Sequence, residues 1–562
     1  MAAATGTKTL DLDALQAQAQ RWLDDDPDPA TREELRDLLA RLPDTAAELA
    51  DRFAGPLTFG TAGLRGPLRA GPNGMNLAVV TQAAAGLVEW LTAQGARGPL
   101  VIGYDARYGS AEFAERTARV AAGAGLRALV LPRPLPTPVL AYAVRALDAA
   151  AGVMVTASHN PPQDNGYKVY LGPRVGGPLG AGAQIVPPVD TGIEAAIRAV
   201  GRLADVPLGG PPEVLGEDVL NSYVERAAAV VDRDGPRDLS IAYTPLHGVG
   251  APVLTAALRR AGFGAPAIVP EQAEPDPRFP TVPFPNPEEP GAMDRAIALA
   301  DAIGADMVLA NDPDGDRCAV GVTVPGAGGA RRWRMLSGDE VGVLLADHLM
   351  RRGVRGLYAT TIVSSSLLGV LCAARGLPYG ETLTGFKWIV RATGGHLVYG
   401  YEEALGYCAA PDLVRDKDGI TAALLVAELA AGLKAELRSL TDRLDELAAE
   451  FGVHATDQLS VRVDDLSEID AAMTYIRARP PGALLDEPVT SIEDLLPGAD
   501  VLILRTASAR VVVRPSGTEP KLKAYLEVVE PVADGDVAAA RERASASVRA
   551  LRTETAAALG IW

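Results

Sequence analysis

Gly152-Val153-Met154-Val155-Thr156-Ala157-Ser158-His159-Asn160-Pro161 is a short apolar run that breaks into a tight polar turn. The same pattern recurs along the chain. Residues 100–102 run into Gly103-Tyr104-Asp105-Ala106-Arg107, and residues 239–243 into Thr244-Pro245-Leu246-His247-Gly248. Residues 307–310 run into Asn311-Asp312-Pro313-Asp314-Gly315-Asp316-Arg317, and residues 396–399 into Gly400-Tyr401-Glu402-Glu403. Alanine-rich helical stretches at 110–125, 251–262 and 338–352 lie between these runs. Alternating strand and helix predicts α/β domains with parallel sheets and helices on both faces. Ligands on such sheets sit beyond the carboxyl ends of the strands, where these turns fall.

Outward from that pattern, 562 residues are too many for one core and imply several domains. Residues 9–50 carry helical spacing, with a capping box expected at Thr31-x-x-Glu34 after Pro29. Pro/Gly-rich breaks near 205–213 and 324–330, and another near 450–457, mark expected boundaries. After the last of these, runs at 458–463, 501–504, 509–513 and 524–529 predict a small α+β domain. The expected division is a helical extension over 1–50, then domains over 51–207, 208–327, 328–453 and 454–562.

The net charge of −18 argues against nucleic acid and anionic membranes, which need clustered Lys and Arg. Residues 421–433, the most apolar helical stretch, carry Glu428 and are too short to span a bilayer. Residues 1–26 lack a secretory signal pattern. Cys318, Cys372 and Cys408 are far apart, with no CxxC pair for a disulfide framework or a thiolate zinc site. These features predict a reducing, cytoplasmic setting.

Asp312, Asp314 and Asp316 place three carboxylates at i, i+2 and i+4, which repel unless a cation compensates. An EF-hand wants Gly at position six and Glu at position twelve, where this turn has Arg317 and Thr323. A three-carboxylate site with an open position suits Mg²⁺ bound through a phosphoryl oxygen. The Ser158 turn is not a hydrolase elbow, because its neighbours do not give G-x-S-x-G. Neighbours in sequence rarely aim at each other, so Ser158 and His159 are not expected to form a nucleophile–base pair. A serine phosphorylated in the resting enzyme needs a metal and cationic donors rather than a triad.

Arg514-Pro515-Ser516-Gly517-Thr518-Glu519-Pro520 combines a guanidinium, hydroxyls and a glycine, a phosphate cradle without the Walker ending. Leu383-Thr384-Gly385-Phe386-Lys387-Trp388 also misses the Walker spacing. Gly123-Ala124-Gly125 follows a helix and precedes a strand, so it predicts a helix C-cap rather than a dinucleotide loop. His348, His396 and His454 have no ligand-spaced partners and are expected to be structural.

Together the turns at 156–161, 312–317, 401–406 and 514–520 resemble, in order, those of the α-D-phosphohexomutases. The motifs Phe59-Gly60-Thr61-Ala62-Gly63-Leu64-Arg65-Gly66 and 244–250 are similar to the subgroup containing bacterial phosphoglucomutase/phosphomannomutase and vertebrate phosphopentomutase. The resemblance implies an α/β protein of four domains around a central cleft. Three are related α/β domains with mixed or parallel sheets, and the fourth is a smaller C-terminal α+β domain.

The resemblance further implies a phosphoryl group on Ser158, with Asp312, Asp314, Asp316 and a Ser158 phosphoryl oxygen holding one Mg²⁺ ion. Glu402 would contact sugar hydroxyls, with Lys387 and Arg317 as further substrate contacts. Arg514, Ser516, Gly517 and Thr518 would hold the phosphate that is not reacting. His159, Lys168 and Lys417 are candidates for proton transfer and charge stabilisation, and Arg65 faces the phosphoserine. The implied reaction interconverts hexose 1- and 6-phosphates, glucose favoured over mannose and pentose, through a hexose 1,6-bisphosphate. The implied state is monomer or homodimer.

Many relatives have Glu-x-Ser in the sugar loop, whereas this chain has Glu402-Glu403-Ala404, which bears on substrate choice. The linker near 450–457 is the expected hinge. A serine-dependent phosphatase is the rival reading, but it needs no cradle for a second phosphate.

Overall fold

The computed structural model describes residues 11–60, 63–326, 331–463, 466–516 and 521–560. The first sheet runs Leu64–Pro67, Asp164–Leu171, Ala151–Val155, Leu100–Tyr104, Ala128–Val130, Glu213–Val214 in spatial order. The second runs Arg331–Met335, Ala319–Pro325, Met307–Ala310, Ile241–Thr244, Ala267–Ile268. The third runs Tyr379–Thr382, Leu357–Thr361, Leu397–Glu402, Gly406–Cys408. One unit is common to all three. Three parallel strands are joined by a fourth, antiparallel one on the far side of the strand that precedes each acidic or hydroxyl-bearing turn.

The sheets are therefore mixed, not purely parallel. The reason is connection length. Ala151–Val155 is followed closely by Asp164–Leu171, Met307–Ala310 by Ala319–Pro325, and Leu397–Glu402 by Gly406–Cys408. Parallel return needs a crossover of about a dozen residues or more, so these short links can only turn back. The strand read at 396–399 extends to Glu402, which places Glu402 at a strand end rather than in the turn.

Two further expectations are corrected. The helix Pro29–Ala40 is capped by Asp28, whose carboxylate accepts from Ala30 N at 2.9 Å, and Thr31 is not the cap. Pro29 sits at the first helical position, so the cap must precede it. The break read at 324–330 does not end the second sheet, since Ala319–Pro325 and Arg331–Met335 pair antiparallel across it.

The last sheet is antiparallel throughout: Val453–Arg462, Lys521–Glu530, Ala509–Pro515, Leu502–Arg505, Ser491–Asp494. It packs against Leu466–Ala478 and Val537–Ala558, an α+β arrangement. The largest apolar cluster joins the first three sheets through the helix Gly419–Ala435, which is buried along nearly its whole length. Its one charged buried side chain, Glu428, accepts from Asp232 N and from Arg352 at 2.9 Å and lies 2.7 Å from His348. The helices Leu12–Asp25, Pro29–Ala40 and Ala46–Arg52 dock on the first domain through Arg52, which donates to Glu34, Glu48 and the Ala70 carbonyl. Among the described residues no helix is long and apolar enough to cross a membrane.

Candidate active site

Ser158 lies in the turn after Ala151–Val155, fully buried, with a backbone φ of +53°. Its N–H donates to Thr156 Oγ1 at 2.9 Å, and Thr156 Oγ1 donates to Asp105 Oδ2 at 2.6 Å. The Ser158 hydroxyl donates to Asp312 Oδ2 at 2.9 Å and accepts from Arg317 Nη1 at 2.7 Å. Residues more than 150 positions apart thus meet at one oxygen. His159 Nδ1 is 3.4 Å from Ser158 Oγ, so the neighbours do touch, contrary to the sequence expectation.

Asp312, Asp314 and Asp316 have no exposure, and one oxygen from each falls within 4.8 Å of the others. A solvated acidic turn is excluded. Three basic side chains lie against the cluster. Lys168 Nζ donates to Asp314 Oδ2 at 2.7 Å and Asp316 Oδ2 at 2.9 Å; Lys417 Nζ is 3.3 Å from Asp316. Arg317 Nη1 donates to Asp312 Oδ2 at 2.8 Å. Oδ1 of Asp314 and of Asp316 are buried without a hydrogen-bond partner. Three hard oxygen donors beside a hydroxyl that could bear phosphate fit Mg²⁺ by charge and chemistry.

The electrostatics separate the groups. Burial, then the Asp314 and Asp316 charges, push the Asp312 carboxyl up to about 7. Burial also opposes ionisation of Asp314, but the Lys168 ammonium and the Thr137 hydrogen bond overcome it and hold this carboxyl well below the ordinary range. For Lys168 burial disfavours the charge, yet Asp314 and Asp316 hold its pKa above the usual lysine value. His159 falls well below the ordinary histidine value through desolvation first, then the Arg317 and Arg65 charges. At neutral pH the site therefore holds a charged lysine and a neutral imidazole.

Arg317 ties three loops together. Besides Ser158 and Asp312, its Nε donates to the Ala404 carbonyl at 2.9 Å, and Cys318 N donates to Leu405 O at 3.1 Å. Glu402 is buried, and that burial, opposed by Lys417 and Arg317, pushes its carboxyl up to about 7. Glu403 Oε2 accepts from Thr361 at 3.3 Å and Ser364 at 3.2 Å. Lys387 reaches across to the Gly60 carbonyl at 3.4 Å, and Arg65 donates to Asn160 Oδ1 at 3.2 Å with its Nε buried and unpartnered.

Arg514 lies near the end of the strand Ala509–Pro515, where its charge opposes the burial that raises the Tyr525 hydroxyl and the Glu403 carboxyl. Ser516 N donates to Lys521 O at 2.8 Å, while Gly517 and Thr518 lie outside the described residues. Of the expected residues, the structure brings Ser158, His159, Lys168, Lys417, Arg317 and the three aspartates together. Glu402 joins them beside Lys417 and Arg317, while Arg65 stands in the first-domain edge strand Leu64–Pro67 and Lys387 in the short third-domain helix Phe386–Ile389.

Sequence reasoning missed Thr137. Its Oγ1 donates to Asp314 Oδ2 at 2.6 Å and its N–H to the Asp314 carbonyl at 2.9 Å, docking the acidic turn on the first domain. The only signal was a polar residue between Pro136 and Pro138 at a helix start.

Four family profiles match the chain in order. They are the phosphoglucomutase/phosphomannomutase alpha/beta/alpha domains I, II and III over residues 56–202, 221–324 and 337–451, and the C-terminal domain over 459–544. A probable phosphomannomutase of Haemophilus influenzae is 45% identical over 81% of this chain and 93% of its own length. A phosphopentomutase of Mus musculus is 33% identical over 95% of both chains. The crystal structure of a putative phosphomannomutase from Thermus thermophilus superposes with a TM-score of 0.66 at 27% identity, covering 88% of this chain and 99% of that one.

Proposed function

Because the chain belongs to the phosphoglucomutase/phosphomannomutase family of α-D-phosphohexomutases, isomerases that act by intramolecular phosphotransfer, we propose that it interconverts hexose 1- and 6-phosphates, glucose first among them, through a phosphoserine at Ser158. One observation carries the reading: Ser158 Oγ lies between Asp312 Oδ2, 2.9 Å away, and Arg317 Nη1, 2.7 Å away, at the mouth of the aspartate cluster. Asp312, Asp314, Asp316 and a Ser158 phosphoryl oxygen would hold one Mg²⁺, which when bound neutralises charge on the transferring group.

The chain's own residues do the rest. A sugar hydroxyl bonds to phosphorus while the bond from phosphorus to Ser158 Oγ breaks. The hydroxyl proton passes to the neutral His159 imidazole, and Arg317 stabilises the serine oxyanion left behind. The product is a hexose 1,6-bisphosphate. After it turns around, Ser158 Oγ takes the other phosphoryl group and His159 returns the proton to the departing sugar oxygen. Lys168 stays charged throughout and offsets the aspartates. Arg514, Ser516, Gly517 and Thr518 hold the idle phosphate, and Glu402 holds the sugar.

A pentose phosphate is the second reading. Ala404 lacks the hydroxyl that many sugar loops carry, and the mouse relative that spans 95% of both chains is named a phosphopentomutase. Parallel kinetics on glucose, mannose and ribose 1-phosphates, with Mg²⁺ and a trace of bisphosphate, tests both. Isomerised sugar is the expected product. Inorganic phosphate without isomerised sugar would sink the mutase reading in favour of a phosphatase.

A further inference from the structure

Ser158 is held in the left-handed region, which is strained for a non-glycine residue, so the turn needs outside support. Thr156 Oγ1 takes the Ser158 N–H, and the carbonyls are held by one further side chain. Arg107 is buried behind the turn, and its Nη2 donates to Ser158 O at 2.6 Å and Asn160 O at 2.6 Å. Its Nη1 donates to Pro161 O at 2.8 Å and Asp164 O at 3.2 Å. Four carbonyls of one turn thus converge on one guanidinium. Asp105 fixes that guanidinium from below, with Oδ2 at 3.4 Å from Arg107 Nε, and the same Oδ2 accepts from Thr156 Oγ1. Asp105 Oδ1 takes the Ser110 hydroxyl at 2.6 Å and Arg107 N at 3.0 Å. The Phe279 ring, from the second domain, lies 4.9 Å from Arg107 Cζ and covers its face.

We propose that Arg107 is the positioning residue that fixes Ser158 Oγ for phosphoryl transfer, oriented by Asp105 and seated by Phe279. It touches neither sugar nor phosphate and acts through the Ser158 backbone. Only a planar, multi-donor cation can bridge four carbonyls spread around the turn; an ammonium supplies charge without that fork. The phosphoryl donor must stand in line with an incoming hydroxyl, and a misplacement of about 1 Å costs roughly 10²-fold in rate. Phe279 gives the arrangement a second consequence: the domain that carries the aspartates is registered against the residue that holds the serine.

This inference rests on the mutase reading, and the test separates the two. Wild-type turnover of hexose 1-phosphate with Mg²⁺ and bisphosphate comes first; its absence defeats the mutase reading whatever Arg107 does. Arg107→Lys and Arg107→Ala are then compared with wild type for kcat, KM and circular dichroism. The Lys variant is expected to be folded, with kcat down ~10- to 100-fold and KM within about threefold, as misplacement rather than lost binding demands. The Ala variant is expected to lose more, and added ethylguanidinium to restore kcat where ethylammonium does not. A Lys variant that turns over like wild type, or fails to fold, overturns the proposal, as does equal rescue by both cations. If the Ala variant does not fold, the Lys variant decides.

Discussion

Removing the Ser158 hydroxyl leaves Arg317 Nη1 and Asp312 Oδ2 facing each other directly, already 2.8 Å apart, so Ser158→Ala keeps a satisfied pocket while losing the phosphoryl carrier. The expected result is a melting temperature near that of wild type with turnover down on the order of 10³-fold or more, and no serine phosphate by mass spectrometry. Ala404 offers the opposite experiment. Its carbonyl already anchors Arg317, so the loop backbone is fixed and only a side chain is missing. Ala404→Ser adds a hydroxyl beside Glu402 and is expected to raise kcat/KM for hexose over ribose phosphate by about 5- to 10-fold, the worth of one neutral hydrogen bond. An unchanged ratio would show that the sugar is not read there. At this scale the aspartates were legible, because three carboxylates at alternate positions announce a cation. Arg107 and Thr137 were not, because their partners are backbone atoms or residues up to 177 positions away, and no local pattern encodes that.

Each functional loop joins a strand to its antiparallel neighbour, and this one device explains most of the site. The turns after Ala151–Val155, Met307–Ala310 and Leu397–Glu402 occupy the same place in three like sheets, so they face one another across the cleft. The second domain also keeps an echo of the serine turn. Leu246 N donates to Thr244 Oγ1 at 3.0 Å and Leu246 has a φ of +48°, as Ser158 does with Thr156. A leucine stands at the reacting position, and the turn instead packs beneath the acidic loop. A Cβ on Gly248 would come within 2.3 Å of Pro313. The strand-then-turn pattern was legible in the sequence, while strand direction was not, since periodicity is the same for either sense.

The fourth domain docks through elements as well. Glu527 accepts from Ser365 Oγ and Ser366 N, both at 2.8 Å, and pairs with Arg510 at 2.9 Å and His454 at 3.1 Å. Burial alone would raise its carboxyl, but His454 and Arg510 hold it at about 2. A depressed carboxyl contributes stability that is full above its unfolded value of 4.5 and is lost as pH falls toward about 2. The shift corresponds to roughly 3 kcal/mol. The gap in urea midpoint between wild type and Glu527→Gln is expected to narrow over that window, and a gap independent of pH would remove the pairing from the stability of the dock.

Taken whole, the molecule is three like domains locked by a common core and a fourth joined by one chain crossing and a smaller apolar seam, in which Ile362 and Val363 meet Val501, Ile503, Val512 and Tyr525. That crossing is Gly452, between the helix Leu440–Phe451 and the strand Val453–Arg462, with a φ of +89° that disfavours any side chain. The Glu527 contacts lie beside it, because His454 pairs with Val529 in the sheet register. They are expected to act as a pivot for the fourth domain. From Glu527 the strand runs back to Lys521, a lever of about 20 Å at ~3.3 Å per residue, and Arg514 and Ser516 lie at its far end. A rotation of about 10° at the pivot would carry them some ~3 Å, enough to release or grip a phosphate while the serine and aspartates stay fixed. Gly452→Ala brings a Cβ within 3.1 Å of the Glu530 carbonyl and strains the joint. It is expected to leave the fold intact and lower kcat several-fold, since the step slowed is closure and not phosphoryl transfer. Solution scattering of wild type with and without bisphosphate checks the motion itself. A smaller radius of gyration with ligand is expected, and superimposable curves would mean that the fourth domain does not swing and that the bisphosphate must turn within a fixed cleft.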